Sequence, residues 1–159
     1  MNHAIEFFDI VVDRGLTFKT KKHLSTLLTF IFNTMAFNIK LSLVEKTTIA
    51  VKIKDIMPLL DKYIFSLGNH FNPNLGKDNL ILRSGIQFLL DDCKDWPTDQ
   101  GCLNNHLQFL VQSDCLETFD NALQEWKKDP PSLAYDVLLF SEKELTRPHN
   151  VPLSHYWWW

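Results

Sequence analysis

Apolar residues recur along most of this chain at intervals of three and four, the spacing that lines one side of a helix. Ala4, Phe8, Val11 and Val12 form the first stripe, and Gly15 follows where a helix-ending glycine belongs. Leu24, Leu27, Leu28, Ile31 and Met35 form the second. Phe30, Phe32 and Phe37 add bulk on its other faces and predict a segment surrounded by protein. Ser42 and Glu45 have the spacing of a capping box, in which each side chain satisfies a backbone N–H of the other residue. Beyond them Ile49, Ile53, Ile56, Leu60, Tyr63 and Leu67 continue the helical period. Pro58 falls inside this stripe and predicts a kink or a division into two coaxial pieces, because proline removes a hydrogen bond and crowds the preceding turn. Ile49, Val51 and Ile53 also alternate with period two, which leaves a strand open for 47–54; the longer period favours a helix.

The stretch from Gly68 to Asn79 holds two Gly, one Pro and four Asn and reads as a loop, centred on 68–78, between halves 1–67 and 79–145. Helical spacing resumes with Leu82, Ile86, Leu89, Cys93 and Trp96, with Asp91 and Asp95 on roughly the opposite side. "WPTDQG" ends that element, and a short helix follows with Leu107, Leu110 and Val111 inward. Asp114 and Glu117 have cap-box spacing ahead of Leu116, Phe119, Leu123 and Trp126. Asp129, Pro130 and Pro131 then start a last helix through "SLAYDVLLFSEKEL". The pattern predicts an all-α fold: one compact, bundle-like multi-helix domain over 1–159.

The remaining segment, 146–159, holds two prolines and three consecutive tryptophans, so it reads as an extended aromatic tail. Each aromatic side chain can bury ~150–250 Å². Left in water, Trp157, Trp158 and Trp159 would make an adhesive patch, so the tail is expected to pack on the helical body. In an extended segment Trp157 and Trp159 face one way and Tyr156 and Trp158 the other, which leaves the second pair for a partner.

Composition narrows the class. Hydrophobic residues at 45% and charged residues at 22% fit a folded globular chain. A net charge of −3, from 19 acidic and 16 basic residues, argues against direct, non-specific nucleic-acid binding. Cys93, Cys102 and Cys115 are odd in number and loosely spaced, as for reduced thiols in a cytoplasmic protein. The N-terminal residues carry Glu6, Asp9 and Asp13 and no basic region, unlike a signal peptide. The apolar run from Leu24 to Ile39 is broken by one Ser, three Thr and two Asn and is too short to span a membrane.

Candidate chemistry is sparse. Cys93, Cys102, His106 and Cys115 could be written as a zinc set, but they lack the short knuckle of structural zinc sites. Asp120, Glu125 and Lys127 mimic a metal-dependent nuclease pattern, yet one helix points Glu125 and Lys127 roughly 200° apart. Ser154 and His155 are adjacent, the wrong geometry for a base serving a nucleophile, and no phosphate-binding loop is present. The expectation is therefore no catalytic set, no metal and no cofactor. Two charge clusters remain. Lys19, Lys21 and Lys22 stand at a helix start, against its dipole. Asp91, Asp92, Asp95 and Asp99 repel one another unless they are solvated, metal-bound or facing a cationic partner.

In size, mild acidity, lack of a catalytic motif and the tail "VPLSHYWWW", the chain resembles the immunity proteins of bacterial toxin–immunity systems, including contact-dependent growth inhibition. The resemblance implies a cytoplasmic monomer or weak dimer that binds a cognate toxin domain, such as a basic nuclease, and occludes its active site. On that reading Asp91, Asp92, Asp95 and Asp99 form the electrostatic patch, with Tyr156 and Trp158 as aromatic anchors. Two readings of other classes stand beside it: an enzyme with a cleft near His70 and His106, and a domain that self-assembles through the tail.

Overall fold

Thr17 opens the first described helix, α1 (Phe18–Ala36), by accepting a hydrogen bond from the Thr20 N–H at 3.2 Å. The computed structural model describes residues 16–128, 151–155 and 159. The helices expected over 4–12 and 132–145 lie outside the described residues. On α1 the stripe Leu24, Leu27, Leu28 and Ile31 is buried as its spacing predicts, and Phe32 joins it. The expectation of a helix covered on every side is corrected: Lys22, Thr26 and Asn33 face solvent, and Phe37 is exposed beyond the helix end.

Helix α2 (Leu43–Asn69) carries the full capping box. Ser42 Oγ accepts from the Glu45 N–H, and Glu45 Oε2 accepts from the Ser42 N–H at 2.7 Å. The strand alternative over 47–54 is thereby overturned, since all eight residues are helical. Pro58 does not divide α2. It sits on the exposed side, where water can serve the carbonyl left without its N–H partner. The helix also runs further than expected and takes in Gly68, so the connecting loop is His70–Gly76. That loop contains a 3₁₀ turn (Pro73–Leu75), where the Asn72 side chain accepts from the Asn74 N–H at 3.0 Å.

Helix α3 (Lys77–Asp91) ends before Cys93 and Trp96, yet both are buried through a tight turn closed by Trp96 N–H to Cys93 C=O. A two-stranded antiparallel hairpin follows, β1 (Pro97–Thr98) with β2 (Gly101–Cys102), in place of a plain helix stop. Gly101, at φ +110°, makes its return possible. Then come α4 (Asn104–Gln112) and α5 (Cys115–Lys128). Leu107 and Leu110 are buried as predicted, but Val111 is 56% exposed, because α4 is short and covers only one narrow face. Apart from the hairpin, the described elements are all helical.

Two helix pairs organise the packing. α1 lies on α3, and α2 lies on α5 with α4 and the hairpin beside it. Each main pair has a glycine at its closest approach. A Cβ on Gly85 of α3 would collide with the Leu28 carbonyl of α1, and one on Gly68 of α2 would sit 2.6 Å from Thr118 on α5. Side chains from all five helices share one core, including Leu28, Ile53, Leu60, Ile86, Leu110 and Phe119. Phe71, in the loop, rests on Phe119 and Trp126 of α5, with ring centroids 6.4 and 6.1 Å away.

Helix propensity alone ranks alanine above glycine by about 1 kcal/mol. The close approaches reverse that order here. Gly85→Ala and Gly68→Ala should each lower stability by about 1–3 kcal/mol through overpacking, read as a fall in the urea midpoint.

Candidate functional site

The four acidic residues singled out from the sequence lie at the end of α3 and along the segment into the hairpin turn, and all four are exposed. Asp91 closes α3 and Asp92 is its C-cap. Helix carbonyls already make that end negative, so carboxylates there cost roughly 0.3–1 kcal/mol each. Neither a lysine nor an arginine stands in the last turn to offset them. The Asp92 carboxyl is pushed above the usual carboxylate range by partial burial first and by the Asp91 charge second, with Lys94 opposing. Asp99 differs from the others. Lys54 of α2 donates to both of its oxygens, at 2.6 and 2.8 Å, and this bonding holds its pKa below the usual value.

Asp91 is tied to the molecule's interior. On the 83–87–91 edge of α3, Gln87 Nε2 donates to Asp91 Oδ2 at 2.9 Å, while Gln87 Oε1 accepts from Arg83 Nη1 at 3.0 Å. Arg83 is almost fully buried and bonds Asp120 of α5 through two of its nitrogens, Nη2 to Oδ2 at 3.0 Å. A continuous polar file therefore runs Asp120, Arg83, Gln87, Asp91, and it fixes the inner end of the acidic edge.

One residue further along α3, Ser84 receives the C-terminal tail. Its Oγ accepts from the Trp159 indole Nε1–H at 2.7 Å and lies 3.2 Å from His155 Nδ1. Val151 and His155 are buried, His155 packs edge-on against Phe88 at 4.7 Å, and Trp159 stacks on Phe32 of α1 at 6.0 Å. Among the described tail residues, packing on the body is thus what the structure shows. Tyr156, Trp157 and Trp158 lie outside the described residues, as does any alternation between them.

Other sequence candidates are dispersed. Cys93, Cys102, His106 and Cys115 do not converge, and among the described residues no three metal-ligating side chains do. Burial pushes the Cys115 thiol up to about 11 and Cys93 further still, so both are poor nucleophiles. His70 caps the end of α2, and His106 lies on α4. Asp120 is engaged by Arg83, and exposed Glu125 pairs with Lys128 at 2.7 Å; with Lys127 they make no common centre. Ser154 is exposed while His155 is buried, so they face apart. At the start of α1, Lys21 donates to Ser66 of α2 at 2.9 Å, a local role for one cation of the basic run.

Sequence reasoning missed the Ser84 seat. A serine in mid-helix carries no local signal, and its partners are 71 and 75 positions away. Comparison with protein-family models, curated proteins and solved structures gives no match for this chain. Ser84→Ala should cost about 1–2 kcal/mol by leaving tail groups without their buried partner. The expected readout is a lower urea midpoint, with increased accessibility of Trp159 to an added quencher.

Proposed function

We propose that this chain is an immunity protein that binds a cognate bacterial toxin domain and covers its active site. One observation carries the reading. Asp91 and Asp92 stand together at the C-terminal end of α3, where the helix dipole disfavours carboxylates and the Asp91 charge adds to the burial that disfavours ionised Asp92, and exposed Asp95 follows three residues on. A surface that retains charge against its own stability gains from a cationic partner, which relieves the repulsion and is steered in by it. Asp99 flanks that surface with its charge shared by Lys54, so the steering field comes chiefly from the other three. A basic nuclease domain suits such a face, because carboxylates can occupy the positions of nucleic-acid phosphates. No helix among the described residues is long and apolar enough to cross a membrane.

The direct test pairs the protein with any toxin domain encoded beside its gene. Co-expression should restore growth, and the purified partners should bind. Asp91→Lys combined with Asp95→Lys should leave the helical circular dichroism intact and weaken binding at least ten-fold at low salt. Unchanged affinity would remove the acidic edge from the interface.

A second reading, self-association, is favoured by the outer face of α2. Leu43 and Val44 are 70% and 75% exposed, and with Thr47, Thr48 and Val51 they line an open groove of about 450 Å³. A second copy laid against this face would cover it. Sedimentation should then show a concentration-dependent dimer that Val44→Glu returns to monomer.

A further inference from the structure

The turn between α1 and α2 holds two large apolar side chains outward on a closed backbone. Phe37 is the C-cap of α1, and Asn38 follows in the left-handed region at φ +52°. The Ile39 N–H donates to the Thr34 carbonyl at 2.8 Å, and the Asn38 N–H donates to the Met35 carbonyl at 3.1 Å. That pair of bonds is a Schellman closure, with asparagine at the left-handed position it tolerates. An apolar contact back onto the last turn often accompanies such a closure. Here Asn33 and Thr34 stand on that turn, and Ile39 is left 52% exposed beside Phe37 at 65%. We propose that Phe37 and Ile39 are the apolar anchor of a partner interface whose steering charges are Asp91, Asp92 and Asp95; the partner is a basic protein domain with an apolar pocket beside its cationic face.

The turn and the acidic edge share one end of the molecule. α1 and α3 run in the same direction, since Leu28 meets Gly85 and, one turn on, Phe32 meets Phe88 with ring centroids 6.3 Å apart. Three to five residues further, about 5–8 Å at 1.5 Å per residue, Phe37 ends α1 while Asp91 and Asp92 end α3. From α2, the Lys46 charge acts on the Cys93 thiol, so the segment leading to Asp95 also lies beside the start of that helix. Exposed Lys40, after Ile39, confines the attractive field to the α3 side of the turn. Phe18 and Phe65 are exposed as well, but the bond from Lys21 to Ser66 places both at the far end.

The two parts have different roles. Charges at an interface raise the association rate and fix orientation, whereas a few well-packed apolar side chains carry most of the affinity. Residues already fixed by a closed turn lose little freedom on binding, so more of their burial appears as affinity. On the reading of this chain as a toxin-binding protein, on which the anchor rests, Phe37 and Ile39 retain the partner that the acidic edge draws in. They stand apart from the groove that Thr47, Thr48 and Val51 line on the outer face of α2.

Binding kinetics of the full chain with a toxin domain encoded beside its gene test the anchor. Phe37→Ala combined with Ile39→Ala should leave the urea midpoint unchanged, since both side chains are exposed. Binding should weaken about ten-fold or more, mainly through faster dissociation and with the salt dependence retained. Asp91→Lys with Asp95→Lys should instead slow association and flatten the salt dependence. Wild-type affinity in the Phe37/Ile39 variant, with binding weakened by the aspartate reversal, overturns the anchor and leaves the acidic edge standing. No binding by the wild-type chain overturns the functional reading and the anchor with it. A variant that loses only self-association assigns the turn to a second copy and also overturns it. Should the variant fold poorly, hydrogen exchange in the wild-type complex decides. Slower exchange across 37–41 on binding supports the anchor, and unchanged exchange there overturns it.

Discussion

The close backbone approach of α1 and α3 at Gly85 is the contact on which most of the rest depends. With no side chain there, the Leu28 carbonyl of α1 comes within van der Waals range of α3. That approach aligns Phe32, one turn after Leu28, with Ser84 and Phe88 on α3. These three residues make the seat for His155 and Trp159. Wider spacing would leave Ser84 facing a gap and the tryptophan with nothing to stack on. Gly68 plays the same part for α2 and α5, so both main helix pairs are set by the absence of a Cβ rather than by a particular side chain.

The polar file from Asp120 to Asp91 joins this apolar framework to the acidic edge. A buried arginine is costly unless its donors are met. Here a carboxylate on another helix and an amide one turn away meet them. Because Arg83 adjoins Ser84, the same guanidinium braces the acidic edge through Gln87 and adds to the burial that lowers the pKa of the neighbouring imidazole. The proposed partner surface and the seat of the tail thus share one buried cation.

The charge placements divide into those the fold absorbs and those it leaves open. Lys21 and Asp99 looked equally exposed to other uses in the sequence, yet Ser66 and Lys54 engage them across helices. Asp92 and Asp95 have no such cross-helix partner among the described contacts, and Asp92 caps a helix whose dipole repels it. That contrast, rather than the number of acidic residues, sets the edge apart from an ordinary solvated surface.

The helical class, the capping box at Ser42 and the inward stripes of α1, α2 and α3 were legible in the sequence, because a 3.6-residue period and a cap are local and each needs only a few neighbouring residues. Burial of Cys93 and Trp96 was legible too, though the chain turns there rather than staying helical. Of the three terminal tryptophans, the described Trp159 stacks on Phe32 of α1. Tertiary structure alone decided that Gly68 belongs to a helix, that Gly85 sets a helix spacing, and that Ser84 receives both His155 and Trp159. Those outcomes hang on atoms fifty or more residues apart in the chain, and no window of neighbouring residues carries the distance between them.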